Sequence, residues 1–370
     1  MNEADAGEPL RVLIAGGGTG GHVIPALAIG REMRDRYGAA VRYVGTARGM
    51  EARLVPEAGF PLEVIEAGML KGVSLRTRAR TVSALPRGVV QCVRLMRVFR
   101  PQAVVGVGGY ASGPAMMAAL LLRVPTLAYE PNAAPGLANR LVGRRVTRAA
   151  VAFEECRRYF RNAEVTGVPV RREFFELPAR PSGAPPHLLV FGGSQGARAL
   201  NEAMPQVLPS LMEAVPGLSV LHQAGARHAE RTEAAYATTG VDRARWQVAA
   251  FLEAMPLQFA AADLILCRSG SSVAELAAAG KPSLLVPFPK AADDHQRKNA
   301  EAFARVGAAV MLEEREMSPE RLLAELVGLL GDRGRQAAMG EAARGLARPE
   351  ALRRIGEMVR EIALRRSSEG

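Results

Sequence analysis

Along the first half of the chain, short apolar runs alternate with helix-length amphipathic stretches. The runs fall at residues 12–15, 41–44, 62–65, 103–107, 126–129 and 149–152. Unbroken apolarity over so few residues marks strands covered on both faces, and the helical segments between them predict a parallel sheet with helices on each side. The pattern restarts at 187–191 and continues at 218–221, 264–267, 283–286 and 308–311, turns helical after Ser318, and ends in an amphipathic helix over 350–366. Between the halves, 166–186 loses periodicity and gathers Pro169, Pro178, Pro181, Pro185 and Pro186, which reads as a linker. The prediction is two similar α/β domains, 1–170 and 171–349, with the last helix, 350–367, crossing back to the first.

Ligands of such sheets bind at the carboxyl ends of the strands, so the turns there carry the chemistry. The first apolar run leads into Gly16-Gly17-Gly18-Thr19-Gly20-Gly21-His22 and a helical stretch. A glycine turn at a helix start offers bare N–H groups and the positive end of a helix dipole to an anion, and here an imidazole stands beside them. A dinucleotide site would add an acid after the second strand, but that strand ends in Gly45-Thr46; a phosphate-binding P-loop would add Lys after its last glycine, but Gly21 is followed by His22. A nicotinamide-dependent oxidoreductase is therefore disfavoured. A lone His is most often a packing residue or cap, whereas this one lies in the ligand space, able to take a proton.

Further turns follow the same logic. Gly108 to Pro114 closes one strand, and Glu130-Pro131-Asn132 the next. In the second half, Gly192-Gly193-Ser194-Gln195-Gly196 echoes the opening loop, with Ser194 expected as the N-cap of the next helix. Arg268-Ser269-Gly270-Ser271-Ser272 precedes a helix whose first turn holds Glu275, readable either as an acid complementing the dipole or as a carboxylate for a ribose diol. Asp293-Asp294-His295-Gln296 suggests sugar hydroxyls more than a metal, and Cys92, Cys156 and Cys267 are too scattered for a zinc site.

The net charge of +11 resembles a nucleic-acid signal until it is divided. Residues 1–170 hold 23 Lys/Arg against 13 Asp/Glu, while residues 171–370 hold 25 against 24. Residues 67–129 contain no acid, and Lys71, Arg76, Arg78, Arg80, Arg87, Arg94, Arg97, Arg100 and Arg123 are interleaved with Met69, Leu70, Val73, Leu75, Val82, Leu85, Val89, Val93, Leu95 and Phe99. Over 69–100 this predicts contact with an anionic membrane surface; a single aromatic leaves little to stack bases on, so no nucleic-acid partner is expected. An ordinary solvated helix with an Arg-rich face is the plainer alternative. The first nine residues lack a basic segment followed by an apolar one, and no apolar run reaches membrane-spanning length, so a cytosolic or cytosol-facing protein is expected.

Taken in order, the motifs at 17–22, 108–114, 192–197, 268–275 and 294–300 resemble the lipid-linked N-acetylglucosaminyltransferases of glycosyltransferase family 28, over essentially the whole chain. The resemblance implies a GT-B fold, with two Rossmann-like domains facing across a cleft. It also implies an inverting, metal-independent transfer of N-acetylglucosamine from UDP-GlcNAc to the 4-hydroxyl of undecaprenyl-pyrophosphoryl-MurNAc-pentapeptide, at the cytoplasmic face of the membrane. It assigns the general base to His22, and the acceptor side to Thr19, Gly20, Gly21, Tyr110, Ser112 and Glu130. Asn132 goes to the donor sugar, and Arg171, Ser194, Gln195 and Gly196 to the UDP phosphates. Phe251 and Leu252 frame the uracil, Glu275 holds the ribose, Ser271 and Ser272 belong to the donor-binding set, and His295 and Gln296 take the sugar hydroxyls. The chain departs from the family pattern at Pro131, at Val168 and in the turn 270–273, which is one residue short. A diacylglycerol-type lipid glycosyltransferase and a non-catalytic nucleotide-binding module are the alternatives, and protein partners are left open.

Overall fold

Strands whose residues are buried on both faces organise two parallel sheets. The computed structural model describes residues 9–68, 75–181, 183–193 and 195–367, with only the helical backbone described for 75–84, 366 and 367. The chain divides into two compact units, residues 1–169 with 350–370, and residues 170–349.

The first unit contains β1 (Arg11–Ala15), α1 (Gly20–Tyr37), β2 (Ala40–Gly45), α2 (Glu51–Glu57), β3 (Leu62–Val64), α3 (Leu75–Phe99), β4 (Ala103–Gly106), α4 (Ser112–Leu121), β5 (Thr126–Glu130), α5 (Leu137–Val142), β6 (Arg148–Val151) and β7 (Ala163–Val165). Its strands pair in parallel in the order β3-β2-β1-β4-β5-β6-β7. Side chains alternate across the sheet: Val12 and Ile14 join one core cluster, Leu13 and Ala15 the other. Strand order reverses between β1 and β4, and a crevice at that point is where an open α/β sheet binds ligands.

The second unit contains β8 (His187–Phe191), α6 (Arg198–Ala214), β9 (Ser219–Gln223), α7 (Ala229–Ala237), β10 (Trp246–Ala249), α8 (Met255–Ala261), β11 (Leu264–Cys267), α9 (Ser272–Ala279), β12 (Ser283–Leu285), α10 (His295–Arg305), β13 (Ala309–Met311), α11 (Pro319–Leu330) and α12 (Arg333–Leu346). The order β10-β9-β8-β11-β12-β13 reverses between β8 and β11.

Two strands have no counterpart in the apolar runs, β7 and β10. Both are sheet edges, and there the half-buried Glu164 and the exposed Gln247 interrupt the apolar pattern.

The last helix, α13 (Ala351–Ser367), belongs to the first unit. Ile355, Met358, Val359, Ile362 and Ala363 are fully buried in the cluster that holds Val12 and Ile14. At its rim, the Arg354 guanidinium reaches both carboxylate oxygens of Glu164 (2.5 and 2.9 Å), and Arg148 pairs with Glu164 and Glu361. Ion pairs at such a partly solvated rim contribute little beside five fully buried apolar side chains, so the apolar face carries the docking. Ile362→Ala is expected to lower unfolding stability by about 2–5 kcal/mol in urea titrations, as for a buried core position; a loss well below about 1 kcal/mol would mean that the helix is not packed there.

Candidate active site

In the first unit, two glycine turns at the strand-order reversal approach each other closely. A Cβ on Gly16 would lie 2.2 Å from Val107 Cγ2, and one on Gly109 would lie 2.1 Å from the Gly17 carbonyl oxygen. Gly18, Gly108 and Gly109 also have positive φ, at 95°, 87° and 80°. Gly108 makes room for the His22 ring, whose Cε1 would be 2.9 Å from a Cβ there. His22 Nδ1 lies 2.9 Å from the Val107 carbonyl oxygen. A carbonyl can only accept, so Nδ1 carries the proton and the basic lone pair is on Nε2.

Thr19 is the N-cap of α1, but its hydroxyl makes no cap bond and the first turn holds no acid. His22 N and Val23 N both donate to the Thr19 carbonyl, which leaves the Gly20 and Gly21 amides at the positive end of an 18-residue helix. Tyr110 is partly exposed, with its ring edge against Gly18.

Two residues expected on the acceptor side point inward instead. Ser112 is fully buried, its Oγ packed beneath Gly106. Glu130 is 2 % exposed, and its carboxylate accepts from Asn132 N and Nδ2 (3.1 and 3.0 Å), Gly136 N (3.1 Å) and Asn139 Nδ2 (3.0 Å). Burial pushes its carboxyl above the ordinary value although those donors oppose the shift. Glu130 therefore shapes the 131–136 loop that presents Asn132. Pro131 fits because its missing amide is not among those donors.

A carboxylate does stand after the second strand, although the sequence reading found none. Glu51 is 1 % exposed and accepts from Gly18 N (2.7 Å), Thr46 N (2.9 Å) and Thr46 Oγ1 (2.8 Å). It faces the glycine loop and has no room for a ribose. The signal available in the sequence was the glycine spacing around it, Gly45 and Gly49, rather than an acid at the strand end.

In the second unit, the turn after β8 winds tightly through Gly193 and Gly196, with φ of 84° and 72°. A Cβ on Gly196 would meet the Ala224 carbonyl at 1.8 Å, so the turn seats against the 224–225 segment before the helix can begin. The N-cap of α6 is consequently Ala197, not Ser194 as expected; Ser194 itself lies outside the described residues. No acid occupies the first turn of α6, and Gln195 is exposed beside Gly196.

The turn after β11 leads to α9, whose N-cap Ser271 makes no side-chain cap bond and is exposed, with Ser272 half-buried. Glu275 follows in the first turn, and burial pushes its carboxyl up to about 7, partly offset by the Arg171 charge. Arg171 itself lies over the buried Phe174 ring at 5.2 Å. Phe251 is 62 % exposed, but Leu252, expected beside it as a base contact, is buried in the unit.

Arg268 anchors the next loop by donating to the Val286 and Pro287 carbonyls (3.1 and 3.0 Å) and lying against Phe288. Gln296 Oε1 accepts from Phe288 N at 3.0 Å, Ser269 Oγ donates to the Gln296 carbonyl at 2.8 Å, and Gln296 Nε2 lies beside Gly270. His295 Nδ1 donates to the Ala292 carbonyl (2.7 Å), putting its lone pair on Nε2. Among the described residues, no group of three or more His, Cys, Asp or Glu is placed to hold a metal ion.

The basic segment differs from its expected surface. Within the described part of α3, Val89, Val93, Leu95 and Phe99 pack against the core cluster of Cys92 and Met96. Arg94, Arg97, Val90 and Val98 form the exposed face. An amphipathic helix needs an apolar stripe for the sheet, and Val89, Val93, Leu95 and Phe99 supply it. Residues 69–74, including Met69, Leu70, Lys71 and Val73, and the side chains of Leu75, Arg76, Arg78, Arg80 and Val82 lie outside the described residues.

The glycosyltransferase family 28 N-terminal domain matches residues 12–151, and the family's C-terminal domain matches residues 187–355. A protein of Solibacter usitatus (strain Ellin6076), called UDP-N-acetylglucosamine–N-acetylmuramyl-(pentapeptide) pyrophosphoryl-undecaprenol N-acetylglucosamine transferase, is 47 % identical over 95 % of this chain and 96 % of its own. One of the same name from Anaeromyxobacter sp. (strain Fw109-5) is 44 % identical over 96 % of this chain and 94 % of its own. The crystal structure of Acinetobacter baumannii MurG superposes with a TM-score of 0.80 at 32 % identity, covering 95 % of this chain and all of that one. The calicheamicin glycosyltransferase CalG4, at 16 % identity and a TM-score of 0.68, shares the fold.

Were Glu275 to hold a ribose diol, the ionised carboxylate would accept both of its hydroxyls where the protonated acid would not, and UDP affinity should then fall as pH drops through about 7. Calorimetric titration with UDP between pH 6 and 8 checks this. Glu275→Gln should flatten the dependence, and an unchanged slope in that variant would assign it to another group.

Proposed function

The chain belongs to glycosyltransferase family 28, and on that premise we propose that His22 is the general base of an inverting transfer. The chain is a UDP-GlcNAc-dependent glycosyltransferase of the GT-B fold, moving N-acetylglucosamine onto N-acetylmuramyl-(pentapeptide) pyrophosphoryl-undecaprenol. The observation that carries the proposal is the hydrogen bond from His22 Nδ1 to the Val107 carbonyl, which presents Nε2 as a base.

In the proposed step, Nε2 takes the proton of the acceptor 4-hydroxyl as that oxygen attacks the anomeric carbon. The bond from that carbon to the UDP oxygen breaks with the electron pair going to the diphosphate, and the configuration inverts. Backbone amides at the starts of α1 and α6 are assigned to diphosphate groups, those of Gly20 and Gly21 to the acceptor and those after Gly196 to the donor. Arg171 adds a positive charge on the donor side. This arrangement supports a reaction that needs no metal, because fixed dipoles and a guanidinium take the role of a cation. Glu275 is assigned to the ribose, Phe251 to the uracil face, Asn132, His295 and Gln296 to the transferred sugar, and Tyr110 to the acceptor.

We also propose peripheral association with the cytoplasmic face of an anionic membrane. Supporting it are the lipid-linked acceptor, the acid-free stretch 67–129 and the exposed Arg94 and Arg97. No described helix is long and apolar enough to cross a membrane.

The test is transfer of radiolabelled GlcNAc to a short-chain lipid I analogue, with and without EDTA. Product should form equally in both, and His22→Ala should cut kcat by about 10²–10⁴-fold with UDP affinity unchanged. Loss of activity in EDTA would overturn the metal-free mechanism, and an undiminished kcat would remove His22 as the base.

A further inference from the structure

A buried carboxylate outside the assigned machinery holds the glycine loop in place. Glu51 opens α2, yet its side chain reaches back across the end of β2 to the loop at 16–21. Three glycines make room for it: a Cβ would lie 2.2 Å from Glu51 Cδ if placed on Gly17, 2.5 Å from Cγ on Gly45 and 1.9 Å from Oε2 on Gly49. Its two oxygens divide the work, Oε2 accepting from Gly18 N and Oε1 from Thr46 N and Oγ1. Burial alone would raise its carboxyl, but these donors together with Glu51's own amide outweigh it and hold the group below its ordinary value, ionised.

Gly18 is thereby clamped, with the carboxylate on its amide and the Tyr110 ring against its α-carbon. Its φ of 95° is a conformation that only glycine adopts readily. The next residue, Thr19, caps α1, and its carbonyl receives the His22 amide. We propose that Glu51 is a positioning residue for the transfer: through Gly18 it fixes where α1 begins, and so where the Gly20 and Gly21 amides and His22 stand. This rests on the role of His22 proposed above. All three donors point at the carboxylate, so a neutral amide cannot replace it. Gln would turn an NH2 group toward an N–H, and Asp is one methylene too short to reach both Gly18 and Thr46.

The test compares Glu51→Gln, Thr46→Val and His22→Ala in the GlcNAc transfer assay, with UDP affinity measured by calorimetry and folding by thermal melting. Small misplacements of reacting groups cost up to about 10²-fold, so Glu51→Gln should lower kcat by about 10–100-fold, leaving UDP affinity unchanged and the protein folded at the assay temperature. Thr46→Val, which removes only the hydroxyl donor, should lower kcat by about 2–10-fold, and it carries the test if Glu51→Gln fails to fold. A lowered melting temperature with kcat intact in either folded variant would make Glu51 a purely structural residue and overturn the proposal. Loss in His22→Ala without loss in the other two overturns the Glu51 role alone. No loss in any of the three overturns the His22 assignment beneath it.

Discussion

Two backbone turns that leave no space for side chains between them are the constraint on which the first unit's site depends. An added methyl on Gly16 would fall 2.2 Å from Val107 Cγ2, and one on Gly109 2.1 Å from the Gly17 carbonyl oxygen. That proximity lets the Val107 carbonyl reach His22 Nδ1, and it puts the imidazole over Gly108. The turns stand together because β1 and β4 are adjacent in the sheet although a long stretch of chain separates them. Local sequence supplies the glycines, and topology turns them into a site.

The second unit answers the same problem with different parts. Its strand order also reverses, between β8 and β11, and the turns after those strands again hold the polar groups. Gly196 seats against the Ala224 carbonyl as Gly109 does against that of Gly17. Behind that seat, Asn201 donates to the Ala224 carbonyl and is in turn bonded to His222, which burial holds far toward its neutral form, at about 3. Each unit therefore rests a glycine turn on a buried polar group, Glu51 in one and Asn201 in the other. The difference is charge: Glu51 is held ionised, whereas Asn201 and His222 are neutral.

Much of this was legible in the sequence, and the gaps share a physical cause. Strands buried on both faces announce themselves as apolar runs, and the glycine turns after them could be read from spacing, whereas a role for Arg171 came only from the family resemblance. Side-chain direction could not. Ser112 and Glu130 stand beside the expected site in sequence but turn inward, and Glu51, six residues beyond its strand, turns toward it. Edge strands β7 and β10 were hidden by Glu164 and Gln247, because a half-exposed strand needs no continuous apolar run. In α3 the apolar residues that suggested a lipid-facing surface are, from 89 to 99, the stripe that covers the sheet. An amphipathic pattern states that a helix has an apolar face, not which surface that face meets.

The claim on which the account turns is that backbone geometry gives His22 the tautomer with its proton on Nδ1 and its lone pair on Nε2. The direct measurement is two-bond 1H–15N correlation of the 15N-histidine-labelled protein above pH 8, with the His22 signals assigned by their absence in His22→Ala. The account predicts a protonated Nδ1 and an unprotonated Nε2 for this residue, the reverse of the form usually favoured by free imidazole side chains. A proton found on Nε2 would contradict it, since the nitrogen meant to accept the acceptor's proton would already carry one.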